Sequence, residues 1–169
     1  MKHTALVLIA VTLFITGCDY LAPLVVEHNI AIDPSVIGLW DEVPEGDKPP
    51  DPKDRMLILK YSETEYLVHY PTGKDQTYYR AYPIKVDGVS CVQVQTIGDS
   101  EGDIKEERKY HIVQYTVSNG ELEIKTLNTD LVDRDLRDTD SIKQAFLKNK
   151  DNKNLFTNPG KFRRVKVKS

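Results

Sequence analysis

The sequence predicts a mainly β protein, an antiparallel up-and-down meander of about eight strands that closes into a barrel or a strongly curved sheet, with one helix before the last strand. Three observations predict it. Apolar residues recur with period two across most of the chain from Arg55 to Leu127. Asp87-Gly88 and Asn119-Gly120 interrupt that pattern with the pairs favoured in two-residue hairpin turns, where glycine tolerates the positive φ that such turns demand. A helical period shows only late, where Ile142, Ala145 and Phe146 fall on one face.

The elements follow in order. Gly38-Leu39-Trp40 opens the domain, and Pro44 to Lys53, with four prolines and Gly46, reads as an exposed irregular loop. Arg55–Ser62 alternates with Leu57, Leu59 and Tyr61 on one face, and Glu65–Tyr70 with Tyr66, Val68 and Tyr70. Ser62-Glu63-Thr64 fits a tight turn between them, and Pro71 to Asp75 a second turn. The strands Thr77–Val86, Val89–Ile97, Lys109–Val117 and Glu121–Leu127 come next, with Gly98–Glu107 as a charged loop. Asp140 or Ser141 is placed to cap the helix, and Lys148 and Lys150 suit its negative C-terminal end. Asn152–Gly160 reads as a loop and Lys161–Val167 as the last strand. An antiparallel sheet of this size avoids exposed edges most readily by curling on itself.

The start of the chain has a different character. Lys2 and His3 precede the uncharged stretch Ala5–Thr16, then small Gly17 and Cys18. A basic start, a short apolar run and a small residue at the cut describe a secretory signal peptide over 1–17. The run is well short of the roughly 20 apolar residues a transmembrane helix needs. Ile15-Thr16-Gly17-Cys18 resembles the lipobox of bacterial lipoproteins. The resemblance implies that Cys18 becomes the lipidated first residue of the mature chain and that the protein resides in the bacterial cell envelope. Lipoproteins of that kind carry a diacylglycerol and usually a third chain, and two or more acyl chains hold a protein stably where one does not. Asp19 resembles the signal that keeps enterobacterial lipoproteins at the periplasmic face of the inner membrane; where that rule fails, the destination is the outer membrane.

Residues 18–34 then read as lipidated cysteine and tether, and 35–169 as the β domain. Fully extended, a tether of about fifteen residues spans about 50 Å. Leu21, Leu24, Val25, Val26, Ile30 and Ile32 make it too apolar for a freely solvated linker, which favours packing on the domain. What remains after the signal is about 150 residues, enough for one domain with a real core. The chain's net charge is −3, and an acidic chain has no electrostatic reason to seek nucleic acid. It also lacks a polybasic patch for anionic lipid, so contact with the membrane falls to the acyl chains. With Cys18 used for lipid, Cys91 is left without a disulfide partner and reads as a small buried hydrophobe.

Gly38-Leu39-Trp40 resembles the Gly-X-Trp signature on the first strand of lipocalins, which are also up-and-down barrels with a late helix. The resemblance implies a structural role for Gly38 and Trp40, with a basic side chain packed across the tryptophan at the closed end of the barrel. Arg163 and Arg164 are the candidates for that part.

Tyrosine dominates the candidate surfaces. Tyr66, Tyr70, Tyr78, Tyr79, Tyr82, Tyr110 and Tyr115 sit in strands with Arg80, and Arg80 shares a strand face with Tyr78 and Tyr82, two residues to either side. A barrel interior lined by tyrosine, glutamine and arginine would suit a partly polar ligand, aromatic faces holding its apolar part and hydroxyls or amides fixing its orientation. The competing explanation is that tyrosine simply fits a half-buried pleated surface. The acidic run Asp130, Asp133, Asp135, Asp138 and Asp140 lacks the central glycine and terminal glutamate of a calcium loop, and His28, His69 and His111 have no ligand spacing, so no metal site is expected. No Gly-X-Ser-X-Gly, His-Glu-X-X-His or phosphate-cradling glycine loop occurs, so neither catalysis nor a cofactor is expected. Two functions stay open: a non-catalytic module that binds another envelope protein, and a carrier or sensor of a small apolar or amphipathic ligand inside the barrel. The carrier requires an internal cavity of the order of a few hundred Å³.

Overall fold

The computed structural model describes residues 19–44, 46, 48–73, 76–103 and 110–166. The expected signal peptide and Cys18 lie outside the described residues, as does part of the Gly98–Glu107 loop. Eight antiparallel strands form a closed barrel in simple chain order. They are β1 (Gly38–Glu42), β2 (Arg55–Lys60), β3 (Tyr66–Tyr70), β4 (Thr77–Val86), β5 (Val89–Asp99), β6 (Tyr110–Ser118), β7 (Glu121–Leu127) and β8 (Phe156–Arg164). β8 pairs with both β7 and β1, so neither terminal strand leaves an open edge. The helix α1 (Thr139–Asn149) lies between β7 and β8.

Both hairpin signals act as expected. Asp87 and Gly88 have φ of 46° and 89°, and Asn119 and Gly120 of 52° and 77°. These two turns and the β2–β3 turn gather at one end of the barrel, here the turn end. The β1–β2, β3–β4 and β5–β6 connections and the long β7–β8 segment gather at the other, the loop end.

Period-two alternation sends side chains to opposite walls, and the barrel has an apolar layer on each. Inside are Trp40, Met56, Ile58, Tyr66, Ala81, Val92, Leu122 and Phe162, with Val36 packed against them. On the outer wall of β4, β5 and β6 a second core holds Tyr82, Ile84, Cys91 and Ile112. Ile142 and Phe146 of α1 cover it on one side, and Tyr20 and Leu24 from the stretch before β1 on the other. That stretch, residues 19–33, is a strap laid along the barrel wall, with Tyr20 and Leu24 each only 1 % exposed. It reaches the turn end and passes into a short 3-10 turn, Pro34–Val36, which leads into β1.

Four details differ from the sequence expectation. The last strand begins at Phe156 rather than Lys161, because Asn158 takes a positive φ of 53° and the ladder with β7 shifts register between Ile124 and Thr126, which lets Asn158-Pro159-Gly160 sit inside a strand as a bulge. The helix cap is Asp138, whose carboxylate accepts the Ser141 backbone N–H at 2.8 Å. Within the Pro44–Lys53 loop the chain begins a 3-10 turn, Pro52–Asp54, capped by Asp51. On β2 the buried face is Met56 and Ile58; Leu59, on the face with Leu57 and Tyr61, is 42 % exposed.

Candidate functional site

The turn end of the barrel is sealed. Trp40 is wholly buried, and its indole N–H donates to the Val36 carbonyl at 2.9 Å. Arg164 lies across the ring with its guanidinium carbon 4.2 Å from the ring centre. Of the two arginine candidates, Arg164 takes this place, while Arg163 points outward to Glu121 at 3.1 Å. Gly38 is needed beneath it: a Cβ there would meet Arg164 Nη1 at 2.5 Å, and φ is +145°. Beside this cluster the Asp33 backbone N–H donates to the Tyr66 hydroxyl at 2.6 Å, and the Tyr115 hydroxyl donates to the Asp33 carboxylate at 3.1 Å. Burial and these contacts hold the Tyr115 phenol well above its ordinary range.

Above this floor the side chains do not fill the barrel. They leave a cavity of about 110 Å³, running from Val36 and Tyr66 at the floor to Tyr70, Tyr79 and His111 toward the loop end. Its wall is almost entirely apolar, with Val68, Val94, Val113 and Ile124 at mid-height. The volume is smaller than the few hundred Å³ anticipated for a carrier. It is nearer the ~150 Å³ cavity that admits one benzene ring than the ~300 Å³ of a drug-sized pocket. It therefore suits a slim ligand.

At the loop end the polar groups next to the lining are paired. The Tyr70 hydroxyl donates to the Glu42 carboxylate at 2.6 Å. Burial pushes the Glu42 carboxyl upward, the Tyr70 hydrogen bond opposes this, and the nearby Asp54 charge adds to the rise. His111 Nδ1 lies 2.9 Å from an Asp19 carboxylate oxygen.

The tyrosines and arginine singled out from the sequence divide between the two walls. Tyr66 and Tyr70 face the cavity. Tyr78, Arg80 and Tyr82 do share one face, but it is the outer wall, so the expected interior of tyrosine, glutamine and arginine is instead an interior of valine, isoleucine and tyrosine. Arg80 grips Glu65 with two hydrogen bonds of 2.6 Å, and His28 of the strap reaches the same carboxylate at 2.6 Å. The Arg80 guanidinium, foremost, holds the Glu65 carboxyl down at about 2, with His28 assisting. Tyr82 stacks on His28 with ring centres 3.9 Å apart, and Tyr78 on His69 at 4.4 Å. Gln93, wholly buried on the outer wall, accepts the Leu24 and Val25 backbone N–H groups at 2.7 and 3.1 Å and donates to the Tyr82 hydroxyl at 2.6 Å. Arg80, Tyr82 and Gln93 thus fasten the strap.

Among the lining residues, Tyr79 and Tyr115 belong to the tyrosines that the sequence points to, whereas Val94, Val113 and Ile124 do not. Their signal is present only as the inward phase of each strand. Cys91 is buried on the outer wall, and burial pushes its thiol up to about 12. The acidic residues before α1 make local turns; Asp133 accepts the Asp135 backbone N–H at 2.8 Å. Among the described residues no three His, Cys, Asp or Glu side chains converge on a point that could hold a metal ion, and no helix is long and apolar enough to cross a membrane. Comparison of the chain with protein-family models, with curated proteins and with solved structures returned no match.

Proposed function

We propose that this is a non-catalytic, lipid-anchored binding protein of the bacterial cell envelope, and that its barrel holds one slim apolar ligand in the manner of a lipocalin-type carrier or sensor. The observation that carries this reading is the apolar cavity inside a closed barrel. An interior evolved only for stability would be packed to the density of an organic crystal, whereas inward-facing Val68, Val94, Val113 and Ile124 all keep accessible surface. Such a wall favours ligands by desolvation and shape and provides few polar handles. The lipobox resemblance at Cys18 supports the anchor.

Isothermal titration calorimetry of the chain beginning at Asp19 with toluene, a single ring of the size the cavity admits, tests the binding. One-to-one binding that disappears in Ala81→Phe, where the new ring fills the cavity, is the expected result. A wild-type chain that takes up none at saturating toluene would overturn the carrier reading.

The protein-interaction reading draws on one specific feature. Leu59 and Tyr61 are 42 % and 68 % exposed on the outside of the barrel near its turn end. Two large apolar side chains left in water there suit a partner's surface better than the protein's own stability. Co-purification of a polypeptide from envelope extracts, lost in a Leu59→Ser/Tyr61→Ser double variant, would support it; retention of the same polypeptide by the variant would count against it.

A further inference from the structure

A buried histidine sits in the otherwise apolar wall of the cavity. His111 is 4 % exposed and lines the cavity beside Tyr79, whose ring meets the imidazole edge-on with centres 6.2 Å apart. The strap sets its surroundings. Tyr20 exchanges two backbone hydrogen bonds with Tyr110, at 2.7 and 3.1 Å, and its hydroxyl donates to the Val132 carbonyl at 2.7 Å. Those bonds hold Asp19 against His111, with a carboxylate oxygen 2.9 Å from Nδ1 and both atoms sealed from water. The approach is oblique for a hydrogen bond. An anion so close nevertheless favours the tautomer that carries its proton on Nδ1. In that neutral tautomer Nε2 holds a lone pair and accepts.

The hydroxyls of the lining are already engaged. Tyr70 donates to the Glu42 carboxylate, Tyr115 to the Asp33 carboxylate and Tyr66 to the Asp33 carbonyl. Thr126 donates to the Thr157 carbonyl at 3.5 Å, and Tyr79 is bonded to the Thr77 side chain. His111 Nε2 is thus the acceptor in this wall that the described residues leave to a guest.

We propose that the guest is a compact, uncharged phenol, a single ring whose hydroxyl donates to His111 Nε2, a proposal that rests on the carrier reading above. A cavity of about 110 Å³ suits one small ring and excludes a long chain or a fused-ring molecule. Val94, Val113 and Ile124 meet the ring's apolar body. A hydroxyl moved from water into such a wall forfeits its hydrogen bonds unless an acceptor awaits it. Nε2 returns that bond, so the site selects a ring with one donor over a ring with none. An anionic guest would lose its hydration and also face the Asp19 carboxylate, which excludes a benzoate. In this arrangement Asp19 is a positioning residue, acting on the guest only through the imidazole.

Toluene and phenol isolate the bond, because they differ only by a methyl in place of a hydroxyl. Calorimetry uses a soluble chain with Cys18→Ala, so that a peptide bond and not a new ammonium precedes Asp19. It is run at about pH 8, where an ordinary imidazole is neutral. Phenol should bind the wild-type site at least as tightly as toluene. In His111→Phe the affinity for phenol relative to toluene should fall at least tenfold. A smaller change in that ratio overturns the proposal, while toluene binding leaves the carrier reading standing. If neither ring binds, the carrier reading fails and takes the proposal with it. Should His111→Phe not fold, ring-nitrogen NMR of the wild type decides. The His111 Nε2 resonance should move with phenol and stay put with toluene; a resonance that ignores phenol overturns the proposal.

Discussion

The Arg164 guanidinium carbon lies 4.2 Å from the centre of the Trp40 ring, and the same guanidinium hydrogen-bonds the carbonyls of Ile37 and Ser35. One side chain at the end of β8 thus ties down the entry to β1 and completes the floor beneath the cavity. The ring it covers is wholly buried and bonded to the Val36 carbonyl.

Removing that ring leaves a large void and an unpaired carbonyl. Trp40→Ala should lower the unfolding free energy by about 3–5 kcal/mol in urea titrations. Arg164→Ala should cost less, about 1–3 kcal/mol, because it loses the contact over the ring and two hydrogen bonds at a partly hydrated site. A loss below about 1 kcal/mol for Trp40→Ala would place the ring outside the core.

The parts of this fold that were legible in the sequence are those fixed locally. Asp87-Gly88 and Asn119-Gly120 bend the chain whatever surrounds them, so the β4–β5 and β6–β7 hairpins could be read directly. Which face of each strand points inward could not. On β4 the inward Tyr79 and Ala81 alternate with an outward Tyr82, Ile84 and Val86 that are equally buried, since the strap and α1 cover that wall. With both phases apolar, period two fixes the strand and leaves its phase undetermined. β2 posed the same ambiguity, Met56 and Ile58 against Leu57 and Leu59. Arg80 looked like a ligand contact because its partner, Glu65, stands fifteen residues away on the far side of a turn. The β8 bulge escaped notice because Asn158-Pro159-Gly160 is turn chemistry in almost any other setting.

The Glu65 carboxylate links stability to acid. Its value is held at about 2 in the folded protein against an ordinary 4.5, so its contribution is fully present above about pH 4.5 and is lost as pH falls toward 2. Glu65→Gln should therefore weaken the protein at neutral pH by about 1–2 kcal/mol, the low side for a charge-assisted pair because solvent screens it on the Arg80 side. The gap between wild type and variant should close across that acid window in urea titrations run from pH 6 to pH 2.5. A gap independent of pH would show that the pair is not what Glu65 contributes.

Gln93 decides whether the strap stays on the barrel. Its amide is the partner of two strap N–H groups and one strap carbonyl, the Leu24 contact buried and the two Val25 contacts partly so. Gln93→Ala strands these groups at about 1–3 kcal/mol apiece if the strap stays in place, so the strap should instead detach. Hydrogen exchange at Leu24 and Val25 should accelerate by at least tenfold while β6–β7 amides hold their protection. Equal acceleration throughout would mean that strap and barrel unfold as one unit.

A residue retained for binding rather than for stability should give opposite signs when the space it leaves is filled. Val94 faces the cavity and keeps accessible surface there. Val94→Leu adds one methylene to that void and should raise the unfolding free energy by about 0.8 kcal/mol, provided the longer side chain enters without strain. The same substitution should weaken binding of toluene, because the added carbon takes part of the space the ring would fill. Stability gained together with binding lost is the signature of an interior held open for a guest. A valine there merely because of imperfect packing would give the gain alone, and calorimetry with toluene titration on the one variant tells the two apart.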